Sequence, residues 1–196
     1  MKRIAIAGGI GAGKSTLTQR LRAFGWPVVD ADEIAREVTA PDQPAWQVLR
    51  DAFGDAVLAP DGTVDRAFLA DVVFHDHSAL ERLNAITHPP IGVEIARQLG
   101  LAAGDAVFLA LPLFRPEHRE LFALDAVWAV LVEPETAVRR LCAGRGFSEE
   151  DARARLANQM SNDERRAIVD AVIENEGSVE ALDARLGELL RAEGLA

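Results

Sequence analysis

The stretch Gly8-Gly9-Ile10-Gly11-Ala12-Gly13-Lys14-Ser15 follows a short apolar run, residues 4–7, near the start of the chain. It fits the pattern G-x-x-x-x-G-K-[ST], in which consecutive backbone N–H groups cradle phosphate oxygens. Glycines suit such a loop because they allow positive φ angles and a close approach to a ligand. Leu17, Leu21 and Phe24 then recur at helical spacing. The sequence therefore predicts a strand, a phosphate-binding loop and a helix in succession.

Two side chains of this loop predict different contacts with a bound nucleotide. Lys14 would reach the β- and γ-phosphates of a nucleotide, and the Ser15 hydroxyl would hold Mg²⁺. Only two of the 21 Lys and Arg residues are lysines, so Lys14 does not reflect a general abundance of lysine. The expected nucleotide-binding residues are Gly11, Ala12, Gly13, Lys14, Ser15 and Thr16. The alternative is a glycine-rich turn without a ligand, which the complete motif and its flanks disfavour.

The composition of the chain argues against membranes and nucleic acids as binding partners. With 196 residues and 49% hydrophobic content, the chain can bury the core of one domain. No apolar stretch approaches the roughly 20 residues needed to cross a bilayer, so we expect no membrane association. A formal net charge of −10 argues against a nucleic-acid partner. The lone cysteine, Cys142, fits a reducing compartment, so we expect a cytoplasmic protein; the sequence leaves the oligomeric state open.

The order of elements predicts an α/β fold. Near-continuous apolar runs at 106–111 and 126–132 are typical of parallel strands covered on both faces. Shorter strands are predicted at 27–30 and 171–173, which with the first strand gives five parallel strands with helices on both sides. Residues 41–104 contain no clear core strand. They predict helices around 46–53, 66–74, 78–87 and 90–99, with a turn at 60–62 between the first two. This stretch is too long for a plain crossover, which predicts a helical insert over the substrate.

Two carboxylates stand at the end of the second predicted strand. Asp30 and Asp32 lie two residues apart, at the type of strand end that faces the ligand crevice in open parallel sheets. One of them could accept a proton from a substrate hydroxyl while the other positions Mg²⁺ through water. The alternative is that Asp30 or Asp32 caps the following helix.

His88 precedes two prolines, which predict a break between helices over 78–87 and 90–99. At the start of the second helix, His88 would bond a phosphate or hydroxyl of an acceptor, or it would cap the helix; the residues favour neither interpretation. His75-Asp76-His77 has alternate spacing in a polar turn without further ligands. This pattern predicts a solvated loop and not a metal site.

A loop at residues 143–146 is predicted between a helix over 134–142 and a helix that Ser148 opens, with Asp151 three residues on as a capping box. Arg145 lies between two glycines there, which suits a lid that closes over ATP and brings its guanidinium to the transferring phosphoryl group. On the next helix, Arg155 shares a face with Gln159 and is a candidate for facing the ligand. The alternative for these arginines is a solvated helix with i,i+4 ion pairs.

The chain resembles dephospho-coenzyme A kinases over essentially its whole length. Beyond the phosphate loop, the matching pieces are Val29-Asp30-Ala31-Asp32-Glu33-Ile34-Ala35, Asp61-Gly62-Thr63-Val64-Asp65-Arg66, Leu83-Asn84-Ala85-Ile86-Thr87-His88-Pro89, Ala152-Arg153-Ala154-Arg155-Leu156 with Gln159, and Asp170-Ala171-Val172-Ile173-Glu174-Asn175 with Gly177. The phosphate loop alone is shared by many kinases, whereas the later pieces in this order are specific. Where many members carry acids, this chain has Ala110 and Pro116.

The resemblance implies transfer of the γ-phosphoryl group of ATP to the ribose 3′-hydroxyl of dephospho-coenzyme A, the last step of coenzyme A synthesis. The residue roles that it implies are Asp32 as the catalytic base, His88 facing the acceptor, Arg140 and Arg145 in the lid, and Asn175 with Gly177 near the adenine. A different small-molecule kinase, acting on a nucleoside monophosphate or gluconate, would share Lys14 but should lack the segments 61–66 and 87–89.

The resemblance also implies the organisation of the chain as a single P-loop kinase domain. The core is expected at 1–40, 105–142 and 165–196, the helical insert that covers the acceptor at 41–104, and the lid at 143–164.

Overall fold

Five parallel strands form one sheet in the order β2-β3-β1-β4-β5 in the computed structural model, which describes residues 1–195 and, at Arg145, the backbone alone. The strands are β1 (Lys2–Gly8), β2 (Val28–Asp30), β3 (Ala106–Ala110), β4 (Ala126–Leu131) and β5 (Ala171–Glu174). Each predicted strand is present, with ends that differ by at most two residues. The predicted five-stranded α/β fold is confirmed.

The helices are α1 (Lys14–Ala23), α2 (Ala31–Val38), α3 (Pro44–Phe53), α4 (Arg66–His75), α5 (His77–Leu101), α6 (Glu117–Leu121), α7 (Pro134–Arg145), α8 (Glu149–Ala157), α9 (Asn162–Arg166) and α10 (Val179–Ala192), with a 3-10 turn at Asp55–Val57. Within the part of the chain that the structure describes, none of the helices has the length and hydrophobicity of a membrane span. The chain divides into two compact units, one of residues 1–29 with 101–196 and the other of residues 30–100.

The centre of the first unit is β1, which pairs in parallel with both β3 and β4. Ile4, Ala5 and Ile6 are fully buried, so both faces of this strand are covered, as expected in an α/β sheet. One face packs against α1 and α10 through a leucine cluster that includes Leu17 and Leu186. This packing fixes the carboxyl end of β1, from which the phosphate loop departs.

The second unit is built from α2 to α5, and its hydrogen bonds confirm the predicted turn at residues 60–62. The Gly62 N–H donates to Ala59 O at 2.9 Å, and the Trp46 indole N–H donates to Gly62 O at 2.9 Å. Asp65 caps α4 by accepting from the N–H groups of Ala67 and Phe68. The helices predicted around 46–53 and 66–74 are therefore confirmed as α3 and α4.

The predicted break at His88-Pro89-Pro90 is wrong, because α5 runs from His77 to Leu101 through both prolines. His88 consequently lies inside a helix, exposed, and not at a helix start. Each proline removes one backbone donor, which leaves the carbonyls of Ala85 and Ile86 without their helical N–H partners. Buried residues on both sides of the prolines hold the helix in place, namely Ala79, Ile95 and Leu99.

The predicted loop at 143–146 is also wrong, because α7 continues to Arg145. Only Gly146 leaves the helical conformation, with φ 67° in the left-handed region. One glycine in that conformation is enough to end a helix. Ser148 then caps α8, as predicted, by accepting from the Asp151 N–H at 3.1 Å.

Candidate functional site

The phosphate loop is shaped by two glycines with positive φ, 76° at Gly11 and 95° at Gly13. A Cβ at Gly11 would lie 3.0 Å from Ala137 O, and one at Gly13 would lie 2.1 Å from Asn175 Nδ2. Gly13 is also the residue before α1, and it has no side chain to cap the N–H groups of the first turn. These N–H groups and the positive end of the helix dipole together suit an anion.

One side of the loop is braced by Asn175, which follows β5. Its side chain is almost fully buried and its Nδ2 donates to Ala12 O at 2.8 Å. The backbone carbonyl of Asn175 accepts from Arg140 Nη2 at 2.8 Å. The structure thus brings Arg140 and Asn175 together at the loop, as a fixed support. Gly177 lies two residues beyond, with the position of a Cβ 3.3 Å from Ala181.

The opposite side of the loop contacts the segment between α8 and α9. Gln159 Oε1 accepts from the Ile10 N–H at 3.0 Å and from Arg165 Nη2 at 3.3 Å. Arg165 Nη1 donates to Met160 O at 2.5 Å and lies 3.1 Å from where a Cβ on Gly9 would stand. Burial lowers the pKa of Arg165, although Glu164 opposes that shift. A half-buried cation therefore lies against the first residues of the loop.

A cavity of about 570 Å³ lies beside the loop. Its walls are formed by the loop residues Gly9 and Ile10, by the chain after β4 at Glu133 and Pro134, and by residues 156–166. A cavity of this volume lies within the range of about 300–1,000 Å³ that small-molecule sites occupy. The loop thus borders a space of the size that small-molecule sites have.

The two helices beyond the loop are joined by Arg153. Its guanidinium pairs with Glu135 of α7 at 2.7 Å and with Glu149 of α8 at 2.8 Å. The hydrogen bond from Arg153 holds the pKa of Glu135 below its ordinary value. Arg155 stacks on Phe147, with its guanidinium carbon 4.6 Å from the ring centroid. The side chain of Arg145 lies outside the described part of the structure.

The two acids after β2 have different surroundings. Asp30 caps α2, because its Oδ1 accepts from the N–H groups of Asp32 at 2.8 Å and Glu33 at 3.4 Å. The capping alternative therefore holds for Asp30. Asp32 is an exposed residue in the first turn of the same helix. Backbone donors thus hold the Asp30 carboxylate at the start of α2.

Comparison with known proteins adds the decisive observation: the family model described as dephospho-CoA kinase matches residues 2–181. The chain belongs to the dephospho-CoA kinase family. The dephospho-CoA kinase of Thermobifida fusca is 44% identical over 190 residues, which make up 96% of this chain and 94% of that protein. The dephospho-CoA kinase of Corynebacterium glutamicum is 42% identical over 193 residues, which make up 97% of this chain and 96% of that protein.

Solved structures have the same fold. A crystal structure from Thermus thermophilus aligns with a TM-score of 0.82 and 33% identity, covering 97% of both chains. Dephospho-CoA kinase from Campylobacter jejuni has the same fold, with a TM-score of 0.69 and 24% identity over 98% of this chain and 100% of that one. The family model and the curated relatives confirm the resemblance seen in the sequence. The protein is an enzyme of a kinase family, for which ATP is the co-substrate.

One residue at the phosphate loop, Arg165, was not among the site residues predicted from the sequence. An available signal was the concentration of arginines between residues 139 and 166. That signal does not separate Arg165 from Arg153, which joins two helices, or from Arg166, which pairs with Glu174 at 2.5 Å. Only the fold distinguishes the arginine at the loop from those in structural ion pairs.

Proposed function

We propose that this protein transfers the γ-phosphoryl group of ATP to the ribose 3′-hydroxyl of dephospho-coenzyme A, which yields coenzyme A and ADP. The observation that carries the proposal is a phosphate loop held from both sides, by Asn175 at Ala12 and by Gln159 at Ile10, in a chain of this family. Because the loop is already ordered, its N–H groups stabilise charge on phosphate oxygens with little reorganisation.

On the nucleotide side, we assign the residues from Gly11 to Thr16 to the phosphates of ATP. Lys14 begins α1 and would place its ammonium on the β- and γ-phosphate oxygens. Two guanidinium groups, Arg140 and Arg165, lie next to the loop and would neutralise charge that develops on the transferring group. We assign Asn175 and Gly177 to the surroundings of the adenine, and the segment 143–164, with Arg145, to a lid.

Mg²⁺ fits the residues that are present at the loop. Among the described residues, no group of three or more His, Cys, Asp or Glu side chains could hold a metal ion. The exposed Ser15 hydroxyl offers one hard oxygen ligand, and Mg²⁺ in kinases is held by few protein ligands together with substrate phosphates. When bound, the ion would neutralise charge on the β- and γ-phosphate oxygens.

On the acceptor side, Asp32 accepts the proton that leaves the 3′-hydroxyl as the new oxygen–phosphorus bond forms. Its exposure in the first turn of α2 supports this role, since Asp30 serves as the helix cap. We assign residues 41–104 to binding of the acceptor, with His88 and Arg155 as further contacts.

The single cysteine, Cys142, supports a cytoplasmic location.

An assay of ADP release tests the proposal. Dephospho-coenzyme A, a nucleoside monophosphate and gluconate are compared as acceptors at equal concentration, and the product is located by ³¹P NMR. We expect turnover with dephospho-coenzyme A and a new monoester at the ribose 3′-oxygen. Faster turnover with a nucleoside monophosphate or gluconate would assign the protein to another acceptor class.

A further inference from the structure

The unit of residues 30–100 contains a cavity of its own, with a volume of about 270 Å³. Its walls come from α2 to α5 and are mostly aliphatic, including Leu49, Leu69, Val73 and Ile91. Sites for whole drug-sized ligands usually measure about 300–1,000 Å³. This cavity therefore suits one ring system of a larger ligand and not the entire molecule.

Two polar side chains of the wall have hydrogen-bonding groups to spare. Arg66 donates through Nη2 to Ala35 O at 3.1 Å and to Thr39 Oγ1 at 3.0 Å. The guanidinium has five N–H donors, so those on Nε and Nη1 remain for another acceptor. Asn84, which is half-buried, has no side-chain hydrogen-bond partner within the described part of the chain. Its carboxamide offers two donors on nitrogen and an oxygen acceptor.

The cavity lies close to Asp32, because Ala35, which is one helical turn after Asp32 on α2, forms part of the wall and accepts a hydrogen bond from Arg66. Burial and the neighbouring Arg36 lower the pKa of Arg66, and the carboxylate of Asp32 opposes that shift. Asp32 is the proposed proton acceptor for the ribose hydroxyl, so a ligand group in this cavity belongs to the part of the acceptor close to the ribose. In dephospho-coenzyme A, the adenine is attached to the ribose itself, whereas the pantetheine arm follows only after the diphosphate.

We infer that this cavity binds the adenine ring of the acceptor and that Asn84 recognises its polar edge. This inference rests on the proposed function. The flat faces of a purine would pack against the aliphatic walls, and the carboxamide would pair with the exocyclic amine and the adjacent ring nitrogen. Asparagine recognises adenine in this bidentate manner in nucleic-acid complexes. Asn84 would therefore set the base specificity of the acceptor.

The test compares two acceptors, dephospho-coenzyme A and its deaminated analogue, in which hypoxanthine replaces adenine. The analogue has an oxygen in place of the exocyclic amine and so loses the donor that Asn84 would engage. We expect wild-type kcat/KM to favour dephospho-coenzyme A by about tenfold to a hundredfold, the discrimination of one bidentate pair. Asn84→Ala should lose most of this preference, with the KM for ATP unchanged.

Gln98→Ala is the matched control, since it removes a half-buried carboxamide from the same helix that does not line the cavity. It should retain the wild-type preference. If Asn84→Ala lowered kcat/KM equally for both acceptors, the inference would be overturned. The cavity would then bind another part of the acceptor, such as the pantetheine arm. Wild-type enzyme that does not distinguish the two acceptors would overturn it as well. Absence of wild-type turnover with dephospho-coenzyme A would instead contradict the proposed function.

Discussion

Gly13 is required at the loop by its backbone conformation and by its surroundings. Its φ is 95°, and a Cβ would overlap the Asn175 carboxamide that holds Ala12. We predict that Gly13→Ala loses most kinase activity, because Asn175 must leave its place and the loop loses its brace. The measurement is kcat/KM for ATP together with thermal unfolding.

Gly25→Ala is the control for backbone strain alone. Gly25 has φ 85°, and nothing lies within 4 Å of where its Cβ would stand. The left-handed conformation costs an alanine about 1–2 kcal/mol, so this variant should lose some stability and keep its activity. If both variants lost stability to the same extent and both kept activity, the contact between Gly13 and Asn175 would not matter for catalysis.

The two acids after β2 give a second prediction for single residues. We expect Asp32→Asn to lower kcat by roughly 10²–10⁴ with little change in the KM for ATP, because a general base acts in the transition state. Asp30→Asn should have a small effect, since asparagine caps helices about as well as aspartate. Steady-state kinetics of both variants decide between them. A larger loss in Asp30→Asn would reverse the roles.

For single residues, the sequence predicted the phosphate loop but not the side chains that hold it in place. The phosphate loop is a local motif, and its residues lie next to one another in the chain. The contacts from Asn175 to Ala12 and from Gln159 to Ile10 join residues that are far apart in sequence, and a pattern along the chain contains no information about them. The sequence did not decide which of Asp30 and Asp32 caps the helix and which is the base, because aspartate suits both roles.

Among the elements, α5 shows how tertiary packing overrides local signals. Two prolines predicted two helices, and buried side chains on both sides of them maintain one. The short helices α6 and α9, of five residues each, were not predicted because five residues do not display an apolar period. Ser161 and Glu164 form a capping box at α9, a signal that was present in the sequence.

The last turns of α5 lead to a prediction on pH. Glu94 accepts from Arg97 at 2.7 and 2.6 Å and from Gln98 at 2.9 Å, and these hydrogen bonds lower its pKa from 4.5 to about 2. Because the folded-state pKa is lowered, the stabilisation is fully present above pH 4.5 and is lost as the pH falls toward 2. This stabilisation is small, because solvent screens the exposed Arg97.

We therefore expect Glu94→Gln to be less stable than wild type at pH 7, with a difference that shrinks as the pH falls below 4.5. Urea unfolding of both proteins from pH 7 to pH 3 measures this difference. Glu81→Gln, a change in an exposed residue at the other end of α5, should have a smaller effect at pH 7. A difference for Glu94→Gln that stays constant with pH would show that its ionisation does not contribute.

For the molecule as a whole, alternating apolar runs and helical patterns were sufficient to predict the α/β class and five parallel strands. They did not predict the strand order β2-β3-β1-β4-β5, because runs such as 106–110 and 126–131 are equally apolar and equally buried. The order matters for function: it puts β1 between β3 and β4, where both neighbours support the strand that carries the phosphate loop.

Our claim of phosphoryl transfer to dephospho-coenzyme A at this loop is tested by measuring the formation of coenzyme A with three proteins. Purified wild type, Lys14→Ala and Lys2→Ala are incubated with ATP, Mg²⁺ and dephospho-coenzyme A, and coenzyme A formation is followed by mass spectrometry. Lys2 is the other lysine of the chain and pairs with Glu193 at 2.7 Å. We predict coenzyme A from wild type and Lys2→Ala, and a rate lower by about 10²–10³ from folded Lys14→Ala. Wild-type enzyme that forms no coenzyme A, or folded Lys14→Ala at the wild-type rate, would contradict the claim.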